Sequence, residues 1–97
     1  MSFASNDNES PPVTLIIGRV RKREGEEPVS VHVMLLAPDD DSAVRRTLEA
    51  LRAKGYASAE LDQIGEMDGE PDEEPHLSAY QGALEGEVSV VTFGSRG

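Results

Sequence analysis

Val29, Val31, Val33 and Leu35 alternate with Ser30, His32 and Met34, and an apolar period of two sustained over seven residues is the mark of a β-strand. Just before it, Val13, Leu15, Ile16 and Ile17 form an apolar run rich in β-branched residues, which continues to Val20 among Arg19, Arg21, Lys22 and Arg23. Such a run also prefers an extended backbone. Between the two lies the charged stretch Glu24 to Pro28 around Gly25, a turn composition. The pair therefore reads as an antiparallel hairpin, buried at the start of its first strand and wetter at the end. Gly18, inside the first strand, signals a bulge or a close backbone approach. The second strand's other face carries Ser30, His32, Met34 and Leu36, polar at first and apolar toward its end.

Ala37 and Pro38 end that strand, and Asp39, Asp40, Asp41 and Ser42 follow. Short oxygen-bearing side chains at this point accept from the free amides of a helix start, and their charge suits its positive end. Val44, Thr47, Leu48 and Leu51 then recur at helical spacing, and Lys54-Gly55 supplies a cationic last turn and a terminating glycine. Tyr56 to Met67 fits two templates. Ala57, Ala59 and Leu61 share a face of a strand, while Leu61 and Ile64 stand three apart as on a helix; a helix ending in Gly before an aromatic favours the strand. Asp68 to Pro75 is a loop of acids, Gly and Pro. Asp72 is then expected to cap a second helix, with Pro75 in its first turn, a stripe of Leu77, Tyr80, Ala83 and Leu84, and Gly86 at its end. Val88, Val90 and Thr92 alternate with Val91 and Phe93 in a final strand.

The expected fold is α+β in ββαβαβ order: a two-layer sandwich with a four-stranded mixed sheet and two helices on one face. It resembles ferredoxin-like sandwiches in architecture only, because the element order differs. Residues 13–93 are expected to form the domain. Met1 to Pro12, polar with a Pro-Pro pair, is expected to be a disordered arm, and residues 94–97 a flexible tail. That start has neither the basic nor the apolar region of a secretory leader, and the longest apolar runs, Leu15 to Ile17 and Val33 to Ala37, fall far short of a membrane span. A cytoplasmic location is the expectation.

Charge divides the chain. Residues 1–54 hold nine acids against eight bases, whereas residues 55–95 hold ten acids and no Lys or Arg, within a net charge of -10. Six of the ten, Glu66, Asp68, Glu70, Asp72, Glu73 and Glu74, lie in nine residues. Such a field repels nucleic acid and anionic lipid and attracts basic protein partners. Calcium ligation in that loop is disfavoured by spacing: counted from Asp68, Gly comes second and Pro fourth, unlike an EF-hand. Helix capping accounts for Asp39 to Asp41 without a ligand.

No cysteine is present, which removes disulfides, thiolate metal sites and cysteine nucleophiles. His32 and His76, the only histidines, stand 44 positions apart with no motif serine, and no phosphate-loop, zinc-protease or hydrolase motif occurs. Neither a catalytic residue nor a metal or cofactor ligand is therefore assigned. Arg19, Arg21, Lys22 and Arg23, with Arg45, Arg46, Arg52 and Lys54, could meet phosphate, but two Tyr and two Phe give no stacking platform. Pairing with Glu24, Glu26, Glu27 and Glu49 is the expected use of these bases. Met34, Leu36 and Val20 are expected to form an apolar strip on the sheet face away from the helices, a surface for homodimerisation. The functional expectation is a non-enzymatic module of inhibitor, immunity or adaptor type, binding a basic protein through its acidic half. The alternative is a homo-oligomeric regulatory domain that binds a small ligand.

Overall fold

The structure, a computed structural model, describes residues 12–93. The expected tail over 94–97, and all of the expected arm except Pro12, lie outside the described residues. The elements follow the expected order: β1 (Thr14–Arg21), β2 (Val29–Leu35), α1 (Asp40–Ala53), β3 (Ser58–Glu66), α2 (His76–Leu84) and β4 (Ser89–Phe93). The segment that fitted both templates is the strand β3, paired with β1 along its length.

The sheet order is β3-β1-β2-β4, and every neighbouring pair is antiparallel. The mixed sheet is thus corrected. β2 and β3, joined through α1, do run in the same direction, but β1 lies between them and pairs antiparallel with both. The hairpin therefore occupies the centre of the sheet, and the strands delivered by the helices form its two edges.

Placement of both helices on one face is also corrected. Successive strand residues point to opposite faces, and the register sorts them. Ile16 sits opposite Val33 and Gly18 opposite Val31 on one face; Leu15 sits opposite Met34 and Ile17 opposite His32 on the other. The first face, with Ile16, Val20, Val31, Val33 and Leu35, packs against Ala43 and Leu51 of α1. On the second face Met34 packs with Val13 and with Ala79 and Ala83 of α2, and Val91 joins them. The helices cover opposite faces because α2 carries the chain from the β3 edge to the β4 edge across the side α1 leaves free. The architectural likeness to ferredoxin-like sandwiches is not confirmed. The expected apolar strip disappears with it: Met34 is buried beneath α2 and Val20 belongs to the α1 core.

Asp39 is the N-cap of α1, its Oδ1 accepting from the Ser42 amide at 2.8 Å. This hydrogen bond holds its carboxyl below the ordinary carboxylate range. Gly55 closes the helix at φ +96°, in the left-handed region where a side chain is strained. The inward stripe is rotated one residue from that expected. Ala43, Thr47 and Leu51 are buried, whereas Leu48 is 42% exposed, and Ala43 and Leu51 pack in the core with the sheet. α2 begins after Pro75, its N-cap, and not at an Asp72 cap. Glu74 instead accepts from the Ser78 amide at 3.0 Å and from its hydroxyl at 2.8 Å.

Thr47 contributes one buried polar atom that is unsatisfied: its Oγ1 finds no hydrogen-bond partner. An unpaired buried hydroxyl costs its desolvation, about 1–3 kcal/mol. Thr47→Val, which keeps the branched shape, is expected to raise stability by about 1 kcal/mol. Urea denaturation measures it, and a destabilised variant would show that the hydroxyl is satisfied in solution.

Candidate functional site

The second sheet face is only partly covered, since α2 packs on β2 and β4. Over β1 and β3, beside the helix, lies a shallow hollow of about 300 Å³ lined by Leu15, Ile17, Gln63, Ile64, Gly65, Glu66, Met67 and Asp68. Its floor is apolar for a local reason. Leu15 and Ile17 face this side by strand alternation, Gly65 adds no side chain, and Met67 is held there by its amide, which donates to the Val13 carbonyl at 2.8 Å. Asp68, at the start of the loop leading to α2, lies at its rim; Glu66, the last residue of β3, lines it from the strand end, although its cross-strand partner Thr14 belongs to the α1 face. A second, slightly larger hollow of about 380 Å³ lies by the hairpin turn among Arg21, Glu24, Gly25, Glu26 and Ser58. Charges of both signs line it, so it presents no consistent field, and the apolar hollow is the better candidate for a contact.

All six loop acids are exposed. They do not act alike. Glu74 is occupied at the start of α2, and Glu70 Oε2 accepts from Gln81 Nε2 at 3.3 Å. Glu66 and Asp68 flank the hollow. Among the described residues none of the six has a cation within ion-pair distance; the ion pairs there are Arg19 with Glu60 at 2.8 Å and with Asp62 at 3.2 Å. Arg19 on β1 therefore neutralises acids of the neighbouring strand, while no cation among the described residues pairs with the loop acids. The expected pairing of the hairpin bases with Glu24, Glu26, Glu27 and Glu49 is not found among the described residues; Arg21 donates to the Glu26 carbonyl instead.

At the β4 edge of the same face stands a cluster that sequence reasoning missed. His32 Nδ1 and His76 Nε2 lie 2.9 Å apart. The reading of two isolated histidines is thereby corrected. His32 points to the α2 side of β2, beside Met34, and His76 opens α2, so one helix docking on one face brings the rings together. Phe93 meets His32 edge-on at 4.7 Å between centroids and stacks on His76 at 5.7 Å. Burial, then the neighbouring His76, lowers the proton affinity of His32. One ring donates and the other accepts, so at least one proton-free nitrogen faces the contact. The sequence signal for this cluster was weak: a histidine on a strand face whose cover could not be assigned, and a second one at a helix start.

No protein-family model matches the chain, no curated protein matches it, and no solved structure matches it. Among the described residues no group of three or more His, Asp or Glu side chains converges as a metal site, and no helix is long and apolar enough to cross a membrane.

Proposed function

We propose that the chain is a non-catalytic protein-binding module, of inhibitor, immunity or adaptor type, that docks a basic segment of a partner protein on the hollow beside α2. The observation that carries this reading is the join between an apolar floor, Leu15, Ile17 and Met67, and lining acids, Asp68 with Glu66 at the strand end, continuing into Glu70, Asp72 and Glu73, that have no cation within ion-pair distance among the described residues. A partner segment with one aliphatic or aromatic side chain flanked by Lys or Arg matches both parts. Its apolar group covers the floor, and its cations meet the unneutralised rim, which adds rate and orientation more than affinity. The shallow, open shape suits a peptide or protein surface better than a small molecule, which binds where most of its surface is enclosed.

The test is fluorescence anisotropy with a labelled Lys/Arg-rich peptide carrying a central Leu, and with its Glu-rich counterpart. The basic peptide is expected to bind, the acidic one not. Raising salt from about 0.1 M to about 1 M shortens the screening length from about 10 Å to about 3 Å and is expected to weaken binding at least tenfold. The double variant Glu66→Gln, Asp68→Asn is expected to weaken it several-fold at low salt and little at high salt. Salt-independent binding, or equal binding of both peptides, would remove the reading.

A further inference from the structure

The geometry points to a two-histidine chelate at His32 and His76 for a nitrogen-preferring divalent cation of the zinc and copper class. It is separate from the acidic hollow, on the opposite half of the α2 side of the sheet. Two imidazole nitrogens bound to one such ion at about 2.0–2.1 Å, with an angle between 90° and the tetrahedral value, stand about 2.9–3.4 Å apart. His32 Nδ1 and His76 Nε2 are already 2.9 Å apart. The fold thus holds the two nitrogens near the required separation, and an ion, which cannot lie on the line between them as the shared hydrogen does, sits beside that line once both rings tilt toward it.

Three further observations support it. The nitrogens that face each other are those left after each ring has its other nitrogen directed away, so the shared proton can pass to the far nitrogen of its own ring, His32 Nε2 or His76 Nδ1. Both facing lone pairs are then free, and at a pH where both rings are neutral the exchange releases no proton. The two rings meet in a part-buried contact, not on open surface. Phe93 against both rings limits their rotation, which reduces the freedom lost on binding. Because no third His, Asp or Glu converges there among the described residues, the remaining coordination positions belong to water or to a donor from a ligand, as in sites that keep open positions. Nitrogen ligation selects copper over zinc and both over magnesium or calcium.

The experiment uses the full chain without a histidine tag. Calorimetric titration with Zn²⁺ or Cu²⁺ is expected to show one ion per chain, with neither Mg²⁺ nor Ca²⁺ competing. His32→Gln and His76→Gln are each expected to weaken binding at least tenfold, whereas Glu66→Gln, Asp68→Asn is expected to leave it unchanged. Paramagnetic resonance of the Cu²⁺ form of the unaltered protein supplies a readout that does not depend on variant folding, and coupling to two imidazole nitrogens is expected. An oxygen-only spectrum, a stoichiometry set by the acidic loop, or full affinity in His76→Gln would overturn the chelate. None of these outcomes bears on peptide binding at the hollow, so the two proposals fail independently.

Discussion

Met34→Ala is expected to destabilise the protein by about 2–5 kcal/mol, the range for removing a large buried side chain that leaves a cavity. Met34 is fully buried between β2 and α2, in contact with the small residues Ala79 and Ala83 and with Val13. Those alanines cannot move side-chain volume into the gap, so collapse of the cavity requires the helix itself to shift. The effect separates two architectures. With both helices on one face, Met34 would lie on an open surface and its truncation would cost almost nothing. Denaturation by urea measures the change, and Leu36→Ala, at a half-buried position, serves as the smaller comparison. A loss below about 1 kcal/mol, the level typical of surface change, would show that α2 does not cover this side in solution.

Gly18→Ala is expected to cost about 2–3 kcal/mol through forced overpacking. A Cβ at position 18 would run into the backbone carbonyl oxygen of Glu60, with the Leu61 Cα 3.1 Å away. The obstacle is main chain in a paired neighbouring strand, so it cannot rotate aside as a side chain would. The ladder between β1 and β3 shifts register at Ile17 and Gly18, where Gln63 and Leu61 are the successive partners and Asp62 is extra. That bulge turns Asp62 onto Arg19, which holds its carboxylate through Nε and a terminal nitrogen, each at 3.2 Å. Gly18→Ala is therefore expected to weaken the β3 edge along with the whole fold, visible as faster amide exchange over β3 than over β2. Unchanged stability would mean that the close approach relaxes freely.

The elements that could be read in the sequence are those whose signals are local. Alternation fixed the hairpin, Asp39 and Gly55 bounded α1, and Gly18 signalled a bulge or a close approach, of which the structure shows both, each decided within a few residues of chain. The choice of helix face was not local. With both helices expected on one face, Met34 falls on the uncovered side of the sheet; yet the unbroken run Val33, Met34, Leu35 is what a strand buried on both faces shows. The rotated stripe of α1 has a similar origin, since Ala43 counts for little in a hydrophobic pattern but is fully buried against the sheet. The candidate site divides the same way. The exposed acids of the loop followed from composition, whereas the apolar floor beside Glu66 and Asp68 depends on which part of the sheet α2 leaves bare. The pairing of His32 with His76 depends on long-range docking, which spacing along the chain does not encode.

The central position of β1 and β2 has a consequence for how the sheet grows. The two middle strands are consecutive and joined by a short turn, so closing their contacts costs the least loop entropy. β3 pairs with the free side of β1, and β4, the last of the described strands, with the free side of β2. Taken in chain order, each strand therefore lies at or outside the positions already filled. At no stage must a later strand be inserted between two that are already paired.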